Sequence, residues 1–168
     1  MPVYTTWNGP MPTTAAQQSV TTGTAIKTML QLATPSTRVI QLISWGFTLD
    51  DPPGADAVIE LLQTDVAATV TAHVAAGVQP VDPNGTASLL TLGTSATGYT
   101  STAEGTPTAC RVFDAVSLSS TTAESPLSYT WQWMPDERPI IAVSKFLRVR
   151  ATTPTTAVDA RCWVRWNE

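Results

Sequence analysis

The run Val158-Asp159-Ala160-Arg161-Cys162-Trp163-Val164-Arg165-Trp166 alternates without a break. Val158, Ala160, Cys162, Val164 and Trp166 share one parity; Asp159, Arg161, Trp163 and Arg165 share the other. Successive side chains of an extended chain point to opposite faces, so this is the pattern of a strand with one face buried. A strand this close to the end of the sequence reads as the last strand of a sandwich or barrel. It ties that end into a sheet.

The same period recurs upstream. Ile26, Thr28, Leu30 and Leu32 oppose Lys27, Met29 and Gln31, and Ala33-Thr34-Pro35-Ser36 follows as a turn. Residues 38–49 form a long strand in which Ile40 and Leu42 lie on one parity, then Ile43, Trp45, Phe47 and Leu49 on the other. That switch predicts a bulge or a change of buried face at Leu42-Ile43. Asp50-Asp51-Pro52-Pro53-Gly54 is a turn, and strands are expected over 57–63, 109–118, 127–134, 140–143, 145–152 and 158–166. A polar turn is expected over 119–126. With turns at these intervals and no long helical period, the expectation is an all-β jelly-roll sandwich of about eight strands, with another Greek-key sandwich as the alternative.

Two stretches break the rhythm. Residues 1–23 hold three prolines and few periodic apolar positions, and read as an extended N-terminal arm. Tyr4 and Trp7 are wasted on a loose tail, so they are expected to dock on a neighbour or on this domain's own sheet. Residues 66–108 read as a long loop excursion from the jelly-roll domain over 24–168, with 67–76 as a short helix or a pair of weak strands and Asp82-Pro83-Asn84-Gly85 as a tight turn.

Composition narrows the function. Charged residues make up only 13%, about half the usual ~25%. Thr alone supplies roughly thirty residues, and Thr suits strands and their solvent faces. Such a surface has few charges to keep other subunits away. Net charge is −4, and Arg148, Arg150, Arg161 and Arg165 alternate along strands rather than cluster. No nucleic-acid partner is expected, because that affinity rests on concentrated positive charge. No apolar run approaches the ~20 residues of a membrane helix, so no membrane partner is expected either. The first residues have no basic region and no apolar core, so no signal peptide is expected and synthesis falls in a cytoplasm.

Chemistry-bearing residues are few. His73 is the sole histidine, and Cys110 and Cys162 lack metal or redox spacing, so both read as buried free thiols. Asp50-Asp51 runs straight into two prolines, which suits a turn rather than a calcium loop. Asp65, Glu104, Asp114 and Glu137 are available carboxylates without a motif. No catalytic residue, cofactor or metal is assigned, and no enzyme is expected. Tryptophan is abundant instead, with six residues. Trp131 and Trp133 share parity with Tyr129, either as core packing or as an exposed stacking platform. Trp163 lies opposite the apolar face of its strand, between Arg161 and Arg165. Tyr4, Trp7, Trp131, Trp133 and Trp163 are the candidate interface residues.

Four segments carry a resemblance: Thr24 to Arg38, Ser44-Trp45-Gly46-Phe47, Glu104-Gly105-Thr106-Pro107-Thr108 and Phe146-Leu147-Arg148-Val149-Arg150-Ala151. In strand texture and turn placement they resemble the capsid decoration proteins of actinobacteriophages. The resemblance implies a jelly-roll homotrimer that binds the major capsid protein at threefold sites on the outer surface of the virion. It is made in the host cytoplasm, and it implies no active site. The alternative is a phage tail, receptor-binding or glycan-binding β-sandwich, with Tyr129, Trp131 and Trp133 as the sugar platform.

Overall fold

The structure, a computed structural model, describes residues 1–120 and 127–168. In chain order the strands begin with β1 (Val3–Trp7), β2 (Val20–Thr21), β3 (Ile26–Ala33), β4 (Ile40–Leu49) and β5 (Ala57–Thr64). Next come β6 (Thr69–Ala72), β7 (Val78–Pro80), β8 (Gly98–Ala103) and β9 (Cys110–Leu118). The last are β10 (Ser128–Gln132), β11 (Ile140–Ile141), β12 (Phe146–Thr152) and β13 (Asp159–Asn167). Among the described residues there is no α-helix, only short 3₁₀ turns at Ala75–Gly77 and Pro135–Glu137.

These strands make a two-sheet antiparallel β-sandwich. One sheet has seven strands and runs β10-β4-β13-β1-β7, with β11 paired to β4 and β2 to β13. The other has six and runs β6-β8-β3-β12-β5-β9. The core between them is built by the alternation read in the sequence. Ala160, Cys162, Val164 and Trp166 of β13 are buried, as are Leu30 and Leu32 of β3 and Leu147, Val149 and Ala151 of β12. Aromatic rings fill its centre: Trp45 lies 5.9 Å from Phe47 and 5.5 Å from Tyr129.

All eight expected strands are present. The parity switch at Leu42-Ile43 is a bulge: Arg165 pairs with Ser44 and Trp166 with Leu42, which leaves Ile43 without a partner. Ile40 and Leu42 therefore face the core before the bulge, and Trp45, Phe47 and Leu49 face it afterwards. The polar turn expected over 119–126 lies, from residue 121 on, outside the described residues.

Five further strands arise where no alternation was visible. Val3–Trp7, expected as part of an arm, instead pairs with β13 from Val3↔Asn167 to Trp7↔Trp163. A central strand of the sandwich has unpaired edges to fill, and a five-residue segment with two Thr is enough to do it. The excursion over 66–108 is also not a plain loop. It supplies β7 to the seven-stranded sheet, and β6 and β8 to the other.

The excursion also dresses the outer face of the six-stranded sheet. Arg148 and Gln31 are register partners there and are both fully buried. The Gln31 amide donates to the carbonyls of Ala68 at 3.2 Å and Ala96 at 2.7 Å, and its oxygen accepts from Ala68 N at 2.8 Å. Arg148 donates to the carbonyls of Val66 and Glu104. Buried polar side chains need such partners, and here the partners are the backbone of the chain lying over the sheet.

Candidate interaction face

The outer face of the seven-stranded sheet is different. Its side chains form cross-strand rows set by register. One row is Thr130, Gly46, Trp163 and Trp7, and the next is Gln132, Ser44, Arg165, Thr5 and Gln79. A third is Ser128, Thr48 and Arg161. Most of these side chains are half-buried or exposed, and most are neutral hydroxyls or amides.

Trp163 is the centre of this face. Trp7 tilts against it at 6.1 Å, and the Arg165 guanidinium lies 5.5 Å from its ring centroid. Its benzo edge lies across Gly46, where a Cβ would come within 2.8 Å of Cζ2. A flat indole needs a strand with no side chain beneath it, and Gly46 supplies that. Arg161 is neutralised by Asp50 at 2.7 Å and donates to the Gln17 carbonyl at 3.0 Å, which holds the segment between β1 and β2 at the border of the face. Among the described residues Arg165 has no ion pair, so it is the open cation of the face.

The structure divides the five candidate aromatics. Trp7 and Trp163 meet on this face. Tyr4 does not: it is 1% exposed, stacks on Trp166 at 5.8 Å and donates to the Thr86 carbonyl at 3.1 Å. Its parity on β1 points inward, so it is a core residue rather than a surface anchor. Trp131 and Trp133 lie on the opposite parity from the open face. Trp133 packs against the core, whereas Trp131, on an edge strand, is 48% exposed. Tyr129 also packs against the core, so Tyr129, Trp131 and Trp133 do not assemble into an exposed platform.

The polar candidates hold structure together. Asp114 accepts hydrogen bonds from Trp45 Nε1 at 2.9 Å and Tyr129 Oη at 2.8 Å. Burial first, and the Asp114 bond second, push Tyr129 up to about 12. Asp65 accepts from the backbone of Thr108 and Ala109, and the Thr108 hydroxyl leads the bonds that pull it down to about 2. Glu104 accepts from Thr28 N at 2.5 Å, the Thr28 hydroxyl at 2.6 Å and the Ser101 hydroxyl. Glu137 ends a 3₁₀ turn. Among the described residues no group of three or more His, Cys, Asp or Glu is placed to hold a metal ion. No described helix is long and apolar enough to cross a membrane.

Compared with family models, with curated proteins and with solved structures, the chain matches none.

Proposed function

We propose that this chain is a bacteriophage structural protein that decorates and stabilises the capsid. It lies on the outer surface through the open face of its seven-stranded sheet. The resemblance in the four sequence segments supports this reading, and the observation that carries it is the contrast between the two outer faces. One is dressed by the chain's own excursion over Arg148 and Gln31. The other presents Trp7, Trp163 and Arg165 among Thr, Ser and Gln, with Arg165 unpaired among the described residues. A flat, nearly uncharged face with a central aromatic suits a broad protein partner. The partner proposed is the major capsid protein.

The finer topology proposed is a jelly roll. Its support is that the links β3 to β4, β4 to β5, β9 to β10, β11 to β12 and β12 to β13 all pass from one sheet to the other. Three copies would form a closed cyclic cap matched to the local threefold points of the shell. Binding the assembled lattice and not its free subunits stabilises the particle by mass action.

The test uses heads assembled without this gene. Purified chain should co-sediment with them, and light scattering should give three times the 17.9 kDa protomer mass. Arg165→Glu or Thr130→Arg, both at exposed positions, should lose co-sedimentation with an unchanged melting temperature. Full binding by both variants would overturn the assigned face. No binding by the wild-type chain would overturn the function.

A further inference from the structure

A second feature sits at the corner where the open face meets β7. A cavity of about 240 Å³ is lined by Trp7, Met11, Pro12, Gln17, His73 and Gln79, with Gly9 and Gly77 in its wall. None of these residues carries a fixed charge.

The protonation of His73 follows from its contacts. Its Nε2 lies 2.8 Å from the Trp7 carbonyl oxygen, which can only accept, so Nε2 carries the proton. Nδ1 is then a bare acceptor. Among the described residues nothing bonds to the buried Gln17 Nε2, so it is a bare donor. Each of these nitrogens packs closely against a glycine. A Cβ at Gly77 would come within 2.7 Å of His73 Nδ1, and a Cβ at Gly9 within 2.7 Å of Gln17 Nε2. Neither glycine has a positive φ. What the two positions need is close approach of a side chain to the backbone, not an unusual backbone.

We propose that this cavity is a binding site for one uncharged sugar ring. A buried amide without a partner carries its desolvation cost until something satisfies it. The complementary ligand carries an acceptor for Gln17 and a donor for His73, and neighbouring hydroxyls offer both. The Trp7 indole supplies the apolar wall on which a pyranose C–H face packs. The absence of charged lining selects a neutral sugar over a phosphate or a uronic acid. The volume is below the ~300–1,000 Å³ of drug-sized sites, which limits the occupant to a single residue, free or at a chain end. The site shares Trp7 and Gln79 with the border of the open face, but its test does not depend on the capsid reading.

The full chain is titrated with glucose, galactose, mannose and N-acetylglucosamine, followed by NMR. With at least one sugar, the Gln17 side-chain amide and the His73 ring nitrogens should shift together and saturably. Gln17→Leu, which removes the donor, should weaken binding at least tenfold with an unchanged melting temperature. Gly77→Ala, which pushes the imidazole from its seat against that glycine, should also weaken binding. Should Gly77→Ala fail to fold, Gln17→Leu alone decides. No saturable shift with any of the four sugars, or equal binding by a folded Gln17→Leu, overturns the site. So does a response only to a proline-rich peptide, which would make the cavity a peptide pocket.

Discussion

Arg148 Nη1 and Glu104 Oε2 lie 3.3 Å apart on the outer face of the six-stranded sheet, where the Arg148 side chain has no exposed surface. Burial pulls the guanidinium's pKa down, and the Glu104 carboxylate opposes that pull. The pair fastens β12 to the chain lying over it. Breaking a buried pair from one side leaves a charge without compensation, at about 3–5 kcal/mol. Glu104→Ala should lower unfolding free energy by about 3 kcal/mol in urea titration. It should also raise the rate of proteolytic cleavage between residues 64 and 108.

Tyr4 separates a core role from an interface role. Tyr4→Phe removes one hydrogen bond to Thr86 and should cost about 1 kcal/mol. Tyr4→Ala opens a cavity beside Trp166 and should cost about 3–5 kcal/mol. Calorimetry on the purified chain checks both. An unaffected melting temperature for Tyr4→Ala would contradict its place in the core.

Gly46→Ala tests the seat of Trp163. The added methyl would meet the Tyr129 carbonyl at 2.6 Å and the Trp163 ring at 2.8 Å. One is backbone and the other a packed indole, so relief requires β10 or the ring to move. Overpacking of this kind costs about 1–3 kcal/mol. Tryptophan emission should also shift as the ring is displaced.

His73 gives a pH dependence of definite sign. Burial lowers its pKa from 6.5, against the bond to Trp7 that raises it. The folded chain therefore resists the proton that the unfolded chain takes up. Stability is fully present above pH 6.5 and falls as pH drops below it toward the lowered folded value. His73→Gln should flatten this slope in urea titrations between pH 5 and 7.

Both thiols were expected to be buried, but only Cys162 is; Cys110 opens β9 on the six-stranded sheet's edge. Cys110 is exposed and Cys162 is buried in β13, where burial pushes its pKa far up. The thiolate is the reactive form. Iodoacetamide should label Cys110 in the native protein, and Cys162 only after denaturation. Mass spectrometry of the labelled peptides distinguishes them.

These residues show what was legible in the chain. Strands with one apolar face declared themselves, because β3, β4, β12 and β13 carry the alternation in their own side chains. The bulge at Ile43 was readable for the same reason. β7 and β8 were not, because β7 is three residues long, β8 is rich in small and polar residues, and the sheets they join set their place; β6 lies where a short helix and weak strands were both open. Tyr4 was misplaced because five residues are too few to tell inward from outward parity without knowing the partner strand. Of the open face, Trp163 was legible from its position between two arginines. Its contact with Trp7 was not, because it depends on a register between opposite ends of the sequence.

That register also sets how the molecule is made. β13 lies between β4 and β1, and Cys162 N is held by Asn8 Oδ1 across 154 residues of sequence. A nascent chain that has reached Thr152 holds every strand of the six-stranded sheet, yet its other sheet still lacks the strand that joins β4 to β1. Topologies this rich in distant pairings fold in milliseconds to seconds rather than microseconds. During synthesis the inward sides of β1 and β4 stay uncovered until the last strand arrives. Crowded, simultaneous synthesis of many copies is then the stage at which this protein is most exposed to aggregation.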